Sequence, residues 1–101
     1  MSKVYVVNKS CHDFTSAEDF GDVVFMTEGA LDRFNTSKMF RAFKPFIERS
    51  DPSDYILLTG MTVMNSIACA MFAKKHGKLN LLIYKDRRGG KGLYLEKIMV
   101  L

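Results

Sequence analysis

The sequence predicts an α/β domain built on a mostly parallel sheet. Three observations lead there: short strand-like runs that are nearly continuous in their apolarity, helix-period stretches lying between them, and connections too long for hairpins until the C-terminal third. Strands that are apolar without alternation must be covered on both faces, which is what crossover helices provide.

Taken in order, Val4-Tyr5-Val6-Val7 is the first strand and Val23-Val24-Phe25-Met26 the second. Between them Ser16-Ala17-Glu18-Asp19-Phe20 can form a turn or two of helix before Gly21 stops it, a connection suited to a short right-handed crossover. Ser37 to Arg49 follows as an amphipathic helix, with Met39, Phe40, Phe43, Phe46 and Ile47 recurring at three- and four-residue steps. Pro45 lies inside it, and a kink or break is expected near Arg41–Lys44.

Asp54 to Gly60 is the third strand. Met61 to His76 is the clearest helix, apolar almost all round and closed by Lys74, Lys75, His76 and Gly77. A helix of that kind needs cover on more than one side, and a second copy of the chain is one candidate for its far face. Leu79 to Tyr84 is the fourth strand, Asp86 to Gly92 a long turn, and Leu93 to Val100 an antiparallel edge strand. The order gives a small three-layer, Rossmann-like α/β domain over residues 1–101. It has a parallel sheet of strand order 2-1-3-4-5 and an antiparallel C-terminal hairpin strand.

With 101 residues, 48% apolar and 26% charged, the chain has the size and balance of one globular domain, which excludes collagen-like and disordered classes. No apolar run is long enough to span a bilayer, and Met1-Ser2-Lys3 leads straight into a strand, so a soluble cytoplasmic protein without membrane contact is expected. Cys11 and Cys69 are too few for a disulfide framework. Cys69 falls within the apolar helix, and Cys11 beside His12 lacks a second ligand pair at zinc spacing, so neither a metal nor a cofactor is expected.

Charge is uneven. Residues 1–73 carry seven basic and nine acidic groups, and residues 74–101 eight basic and two acidic. The basic third either ends a helix and keeps a hairpin soluble, or meets an anionic partner.

In an open parallel sheet the loops at the strand C-terminal ends converge on one rim, where ligands bind. Here they bring Lys9, Ser10 and His12 after strand one, Glu28 after strand two, Thr36, Ser37 and Lys38 at the first long helix, and Thr59, Gly60 and Thr62 after strand three. Two helix N-termini with unpaired N–H groups, several hydroxyls and cations suit a phosphate or carboxylate.

Enzyme signatures do not appear. The turn after strand one has no glycine, so the dinucleotide fingerprint is missing, and P-loop and C-x-x-C spacings are absent too. The Val24–Gly29 stretch has the strand-Glu-Gly start of toprim domains, but no later strand carries D-x-D. Cys11 and His12 are sequence neighbours, and His76 ends its helix at the far edge of the sheet, so no Cys–His pair forms. His12 with Glu28 or Asp13 is the one acid–base pair the loops could assemble.

The chain is therefore read as a binding domain for an anionic, phosphate-bearing or nucleotide-like ligand, with no catalytic residue assigned. Two other classes stand beside it. One is a self-associating (dimeric) or partner-binding module using helix 61–76 or edge strand 93–100. The other is a nucleic-acid binder using Lys85, Arg87, Arg88 and Lys91 with Tyr84 and Tyr94 nearby.

Overall fold

The computed structural model describes residues 2–10 and 13–101. In chain order they form β1 (Lys3–Val6), a 3-10 turn (Thr15–Asp19), β2 (Asp22–Phe25), α1 (Thr36–Glu48), β3 (Tyr55–Leu57), α2 (Thr62–His76), β4 (Lys78–Arg87) and β5 (Gly90–Val100). The result is a small α/β domain with one mixed sheet in the order β2-β1-β3-β4-β5. All neighbours run parallel except β4 and β5.

Successive strand residues divide between two cores. Tyr5, Val7, Ile56 and Leu81 pack with Met39, Phe43 and Ile47 of α1 and Met64, Ala68 and Phe72 of α2. Val4, Val6, Leu57 and Leu82 pack on the other side with Phe14, Ala17 and Tyr94. Burial on both faces accounts for the unbroken apolarity of these strands. The two covers are unequal: both α-helices lie on one face, and the other carries the 3-10 turn and its flanking loop. Right-handed crossovers explain the division, since the β1-to-β2 connection moves along the sheet opposite to the next two and so passes over the opposite face.

The ends of α1 and α2 follow local chemistry. Asn35 Oδ1 accepts from the Lys38 N–H at 3.1 Å and caps α1, while Gly77, at φ 68°, closes α2. The expected break at Pro45 does not occur, and α1 runs continuously through it. Pro45 and Arg41, whose carbonyl loses its helical donor, are both exposed, so the missing bond falls on the solvent side of the helix while Met39, Phe43 and Ile47 stay buried. The apolar breadth of α2 is taken up by the sheet and α1. The exposed positions on it are Thr62, Val63, Ser66, Ala70, Lys74 and Lys75.

At the N-terminal edge of the sheet, Asp54 is buried but satisfied, accepting from the Lys3 and Asp51 N–H groups, each at 2.8 Å. Asn80 Nδ2 donates to the carbonyls of Pro52 and Asp54. These bonds tie the starts of β1 and β4 to the turn before β3.

The largest departure from expectation is the hairpin. The long turn expected over Asp86 to Gly92 is instead a two-residue turn, Arg88-Gly89, with Gly89 at φ 77°, and both strands extend to meet it. The ladder runs from Lys78↔Val100 to Arg87↔Gly90, with an irregularity between Lys85 and Arg87. Glycine at position 92 has a steric reason: a Cβ there would overlap the Tyr84 ring, which crosses the ladder to rest on it. No helix among the described residues is long and apolar enough to cross a membrane.

Candidate functional site

The C-terminal rim of the parallel strands holds a cavity of about 350 Å³. Asp13 and Phe14 come to it from the loop after β1, Leu58, Thr59 and Gly60 from the end of β3, and Ile83, Tyr84 and Tyr94 from the hairpin. β1 and β3 are the neighbours between which the crossovers change direction, the position where open α/β sheets form a crevice.

The aromatic wall is organised by the ladder. Tyr84 and Tyr94 are direct cross-strand partners, with ring centroids 5.5 Å apart in an edge-to-face arrangement. Burial, then the neighbouring Tyr84 and Asp13, push the Tyr94 phenol above its usual range, so it remains a hydrogen-bond donor at neutral pH. Asp13 accepts from the N–H and hydroxyl of Thr15, which fixes the start of the 3-10 turn.

The corner after β3 is held by Asn65, a half-buried polar residue of α2. Asn65 Oδ1 accepts from the Thr59 N–H and Asn65 Nδ2 donates to the Thr59 carbonyl. With its backbone occupied in this way, Thr59 turns a buried hydroxyl that has no hydrogen-bond partner among the described residues. Met61 is the N-cap of α2 and supplies no side-chain cap, so neither threonine of this corner caps the helix.

A second, smaller cavity of about 270 Å³ lies at that helix start, between Arg33 and residues Gly60, Met61, Thr62, Val63 and Met64. Gly60 borders both cavities. A Cβ on Gly60 would meet nothing within 4 Å, so the space beside it is open.

The other rim residues singled out from sequence are spread along the edge. Lys9 and Glu28 are joined by an isolated parallel bridge, with the Lys9 N–H donating to the Thr27 carbonyl and its Nζ 5.1 Å from the centroid of the Phe25 ring. Ser10 is exposed beside them, and His12 and Cys11 lie outside the described residues. Thr36 and Ser37 border a shallow groove with Phe40, Arg41 and Ile67, and Lys38 lies in the capped first turn of α1. Of the ten rim residues named from sequence, Thr59 and Gly60 line the aromatic cavity, and Gly60 and Thr62 line its neighbour. Lys85, Arg87 and Arg88 are exposed on the hairpin, and Lys91 is in β5 with its side chain outside the described residues.

Phe14, Tyr84, Tyr94, Arg33 and Asn65 are the site residues that sequence reasoning did not place at the rim. The two tyrosines were visible as hairpin aromatics, but their position over the end of β3 depends on the β4–β5 register. Among the described residues no group of three or more histidine, cysteine or acidic side chains is placed to hold a metal ion.

No curated protein and no solved structure matches the chain. The family described as Phage Pam3 gp32-like protein matches residues 2–96, nearly the whole length, and the chain belongs to that family.

Proposed function

We propose that the protein is a small-molecule-binding domain that takes a nucleotide-like ligand across its strand rim. The planar end occupies the cavity of Phe14, Tyr84 and Tyr94, and the anionic end lies at the start of α2 beside Arg33. The observation that carries this is the position of Gly60, which borders both cavities and has no side chain to separate them.

Three features support a ligand there. A cavity of about 350 Å³ is within the range of small-molecule sites and is mostly apolar with a few polar groups, as such sites are. The Thr59 hydroxyl, buried without a partner among the described residues, is a group that a ligand donor or acceptor would satisfy. The N-terminus of α2 carries N–H groups without a side-chain cap, and Arg33 adds a cation that can pair with a phosphate. The strand order also supports a Rossmann-like reading of the fold, in which ligands sit outside the strand ends at the change of crossover direction.

Calorimetry with adenosine, adenosine monophosphate and inorganic phosphate tests the proposal. The monophosphate is expected to bind at least tenfold more tightly than either fragment. Gly60→Val, which fills the space between the cavities without straining the backbone, is expected to abolish that gain and leave the melting temperature unchanged. No heat with any nucleotide at millimolar concentration overturns the proposal.

A further inference from the structure

The β4–β5 hairpin continues past the sheet that carries it. β4 pairs with β3 only at Leu81 and Leu82, and the last contact is the Leu58 N–H donating to the Leu82 carbonyl. From Lys85 to Arg88 every residue is exposed, whereas Ile83 and Tyr84 still border the rim cavity and Tyr94, opposite Tyr84, is buried. Beyond Tyr84 the three β4 residues Lys85, Asp86 and Arg87, at about 3.3 Å each, make an arm on the order of 10 Å long.

The arm is braced at its base. Tyr84 meets Tyr94 edge-to-face and lies over Gly92, so its ring fixes the two strands at the point where they leave the sheet. Beyond that brace the exposed side chains are Lys85, Asp86, Arg87 and Arg88, three cations to one carboxylate, and no ion pair is made by any of them among the described residues. A two-stranded ribbon fits the major groove of B-form DNA, which is about 12 Å wide and 8.5 Å deep, and the arm is long enough to reach its floor.

We infer that the β4–β5 arm is a nucleic-acid-contacting ribbon that takes the phosphate backbone of a DNA duplex through Lys85, Arg87 and Arg88. The side chains of this contact are other than those that line the rim cavity. Backbone contacts position a protein without reading sequence, so binding is expected to be general for duplexes.

Fluorescence anisotropy with a labelled duplex tests it on the full chain. With three phosphates neutralised, affinity is expected to fall about 40-fold between 50 and 200 mM salt. The triple variant Lys85→Gln/Arg87→Gln/Arg88→Gln, in which every changed residue is exposed, is expected to lose most of the binding and most of the salt dependence with unchanged thermal melting. The control Arg41→Gln/Lys44→Gln/Lys74→Gln removes the same charge from the helical face and is expected to bind within a factor of about three of wild type, against the per-contact loss expected from phosphate neutralisation. Absence of binding at 50 mM salt, tighter binding to single strands than to duplex, or equal loss in the two triple variants each overturns the inference.

Discussion

Asn65 grips both backbone polar groups of Thr59, its Oδ1 taking the N–H at 3.1 Å and its Nδ2 giving to the carbonyl at 2.7 Å. A side-chain amide is the one group that can offer an acceptor and a donor side by side in this way. The strand-to-helix corner is thus set by a residue six positions on, and the cavity at the rim takes its shape from that corner.

Asn65→Ala is therefore expected to cost about 2–3 kcal/mol, because two half-buried backbone groups lose their partners at once. Asn65→Asp keeps the acceptor for the Thr59 N–H but sets a carboxylate oxygen against the Thr59 carbonyl, and is expected to be no better than alanine at neutral pH. Urea denaturation midpoints of the two variants check this, and an aspartate as stable as wild type would show that the second bond contributes nothing.

Lys75 is expected to hold the end of α1. Its Nζ donates to the carbonyls of Ile47 at 3.0 Å, Glu48 at 2.5 Å and Ser50 at 3.3 Å, so one ammonium gathers three carbonyls at the helix end, that of Ile47 also accepting from Ser50. Lys75→Met preserves the aliphatic stem and is expected to destabilise by about 1 kcal/mol. Lys75→Arg is expected to rescue it only in part, since a planar fork does not match three converging acceptors. Thermal unfolding of the pair distinguishes this cap from simple charge removal.

The architecture was legible where burial dictates residue type. Val4 to Val7 and Ile56-Leu57 are apolar on consecutive positions because the sheet is covered on both sides, and Met39, Phe43 and Ile47 repeat at helical spacing because one stripe of α1 is buried. The hairpin was not legible to its full length. Lys85, Asp86, Arg87 and Gly90 have weak strand preference and are exposed, so their extended state comes from the cross-strand ladder and not from their own side chains. The rim was partly legible. Topology alone brings Thr59 and Gly60 to the strand ends, whereas Phe14 and Tyr94 reach the cavity only through the fold of the 3-10 loop and the register of β5. Asn65 was invisible for a further reason: a polar residue on a helix gives no sign of which backbone it will bind.

His76 links stability to pH on the slightly acidic side of neutral. Ser50 Oγ donates to the Ile47 carbonyl at 2.6 Å and so accepts from His76 Nε2–H at 2.8 Å, while the ring packs on Phe72. Burial, then the Lys75 charge, lowers the imidazole pKa, against smaller opposing effects of Asp51 and Asp54. The folded pKa lies below that of the unfolded chain, so the unfolded state binds more protons in this range and stability falls as pH drops below about 6.5. His76→Gln is expected to flatten the urea midpoint between pH 7 and pH 5.5, leaving the further loss below about pH 4, where Asp51, held low by its hydrogen bonds from Ser53, becomes protonated. An unchanged slope in the variant would assign the loss to another group.

Tyr55 reports on the sheet from the alkaline side. Its hydroxyl donates to the Glu96 carboxylate, joining β3 to β5 across β4, and its ring meets Phe20 edge-to-face at 5.7 Å. That hydrogen bond, with burial and the Glu96 charge adding to it, pushes the phenol up to about 12. A folded pKa above the unfolded one contributes stability that is complete below about pH 10 and is lost as pH rises toward 12. Ultraviolet difference titration of wild type against Tyr55→Phe isolates this phenol from the other tyrosines, and Glu96→Gln is expected to bring its titration back toward 10 by removing both the charge and the strong acceptor. If the phenol titrates near 10 in the wild type, the hydrogen bond from β3 to β5 does not form in solution, and β5 is held by the β4 ladder and the packing of Tyr94.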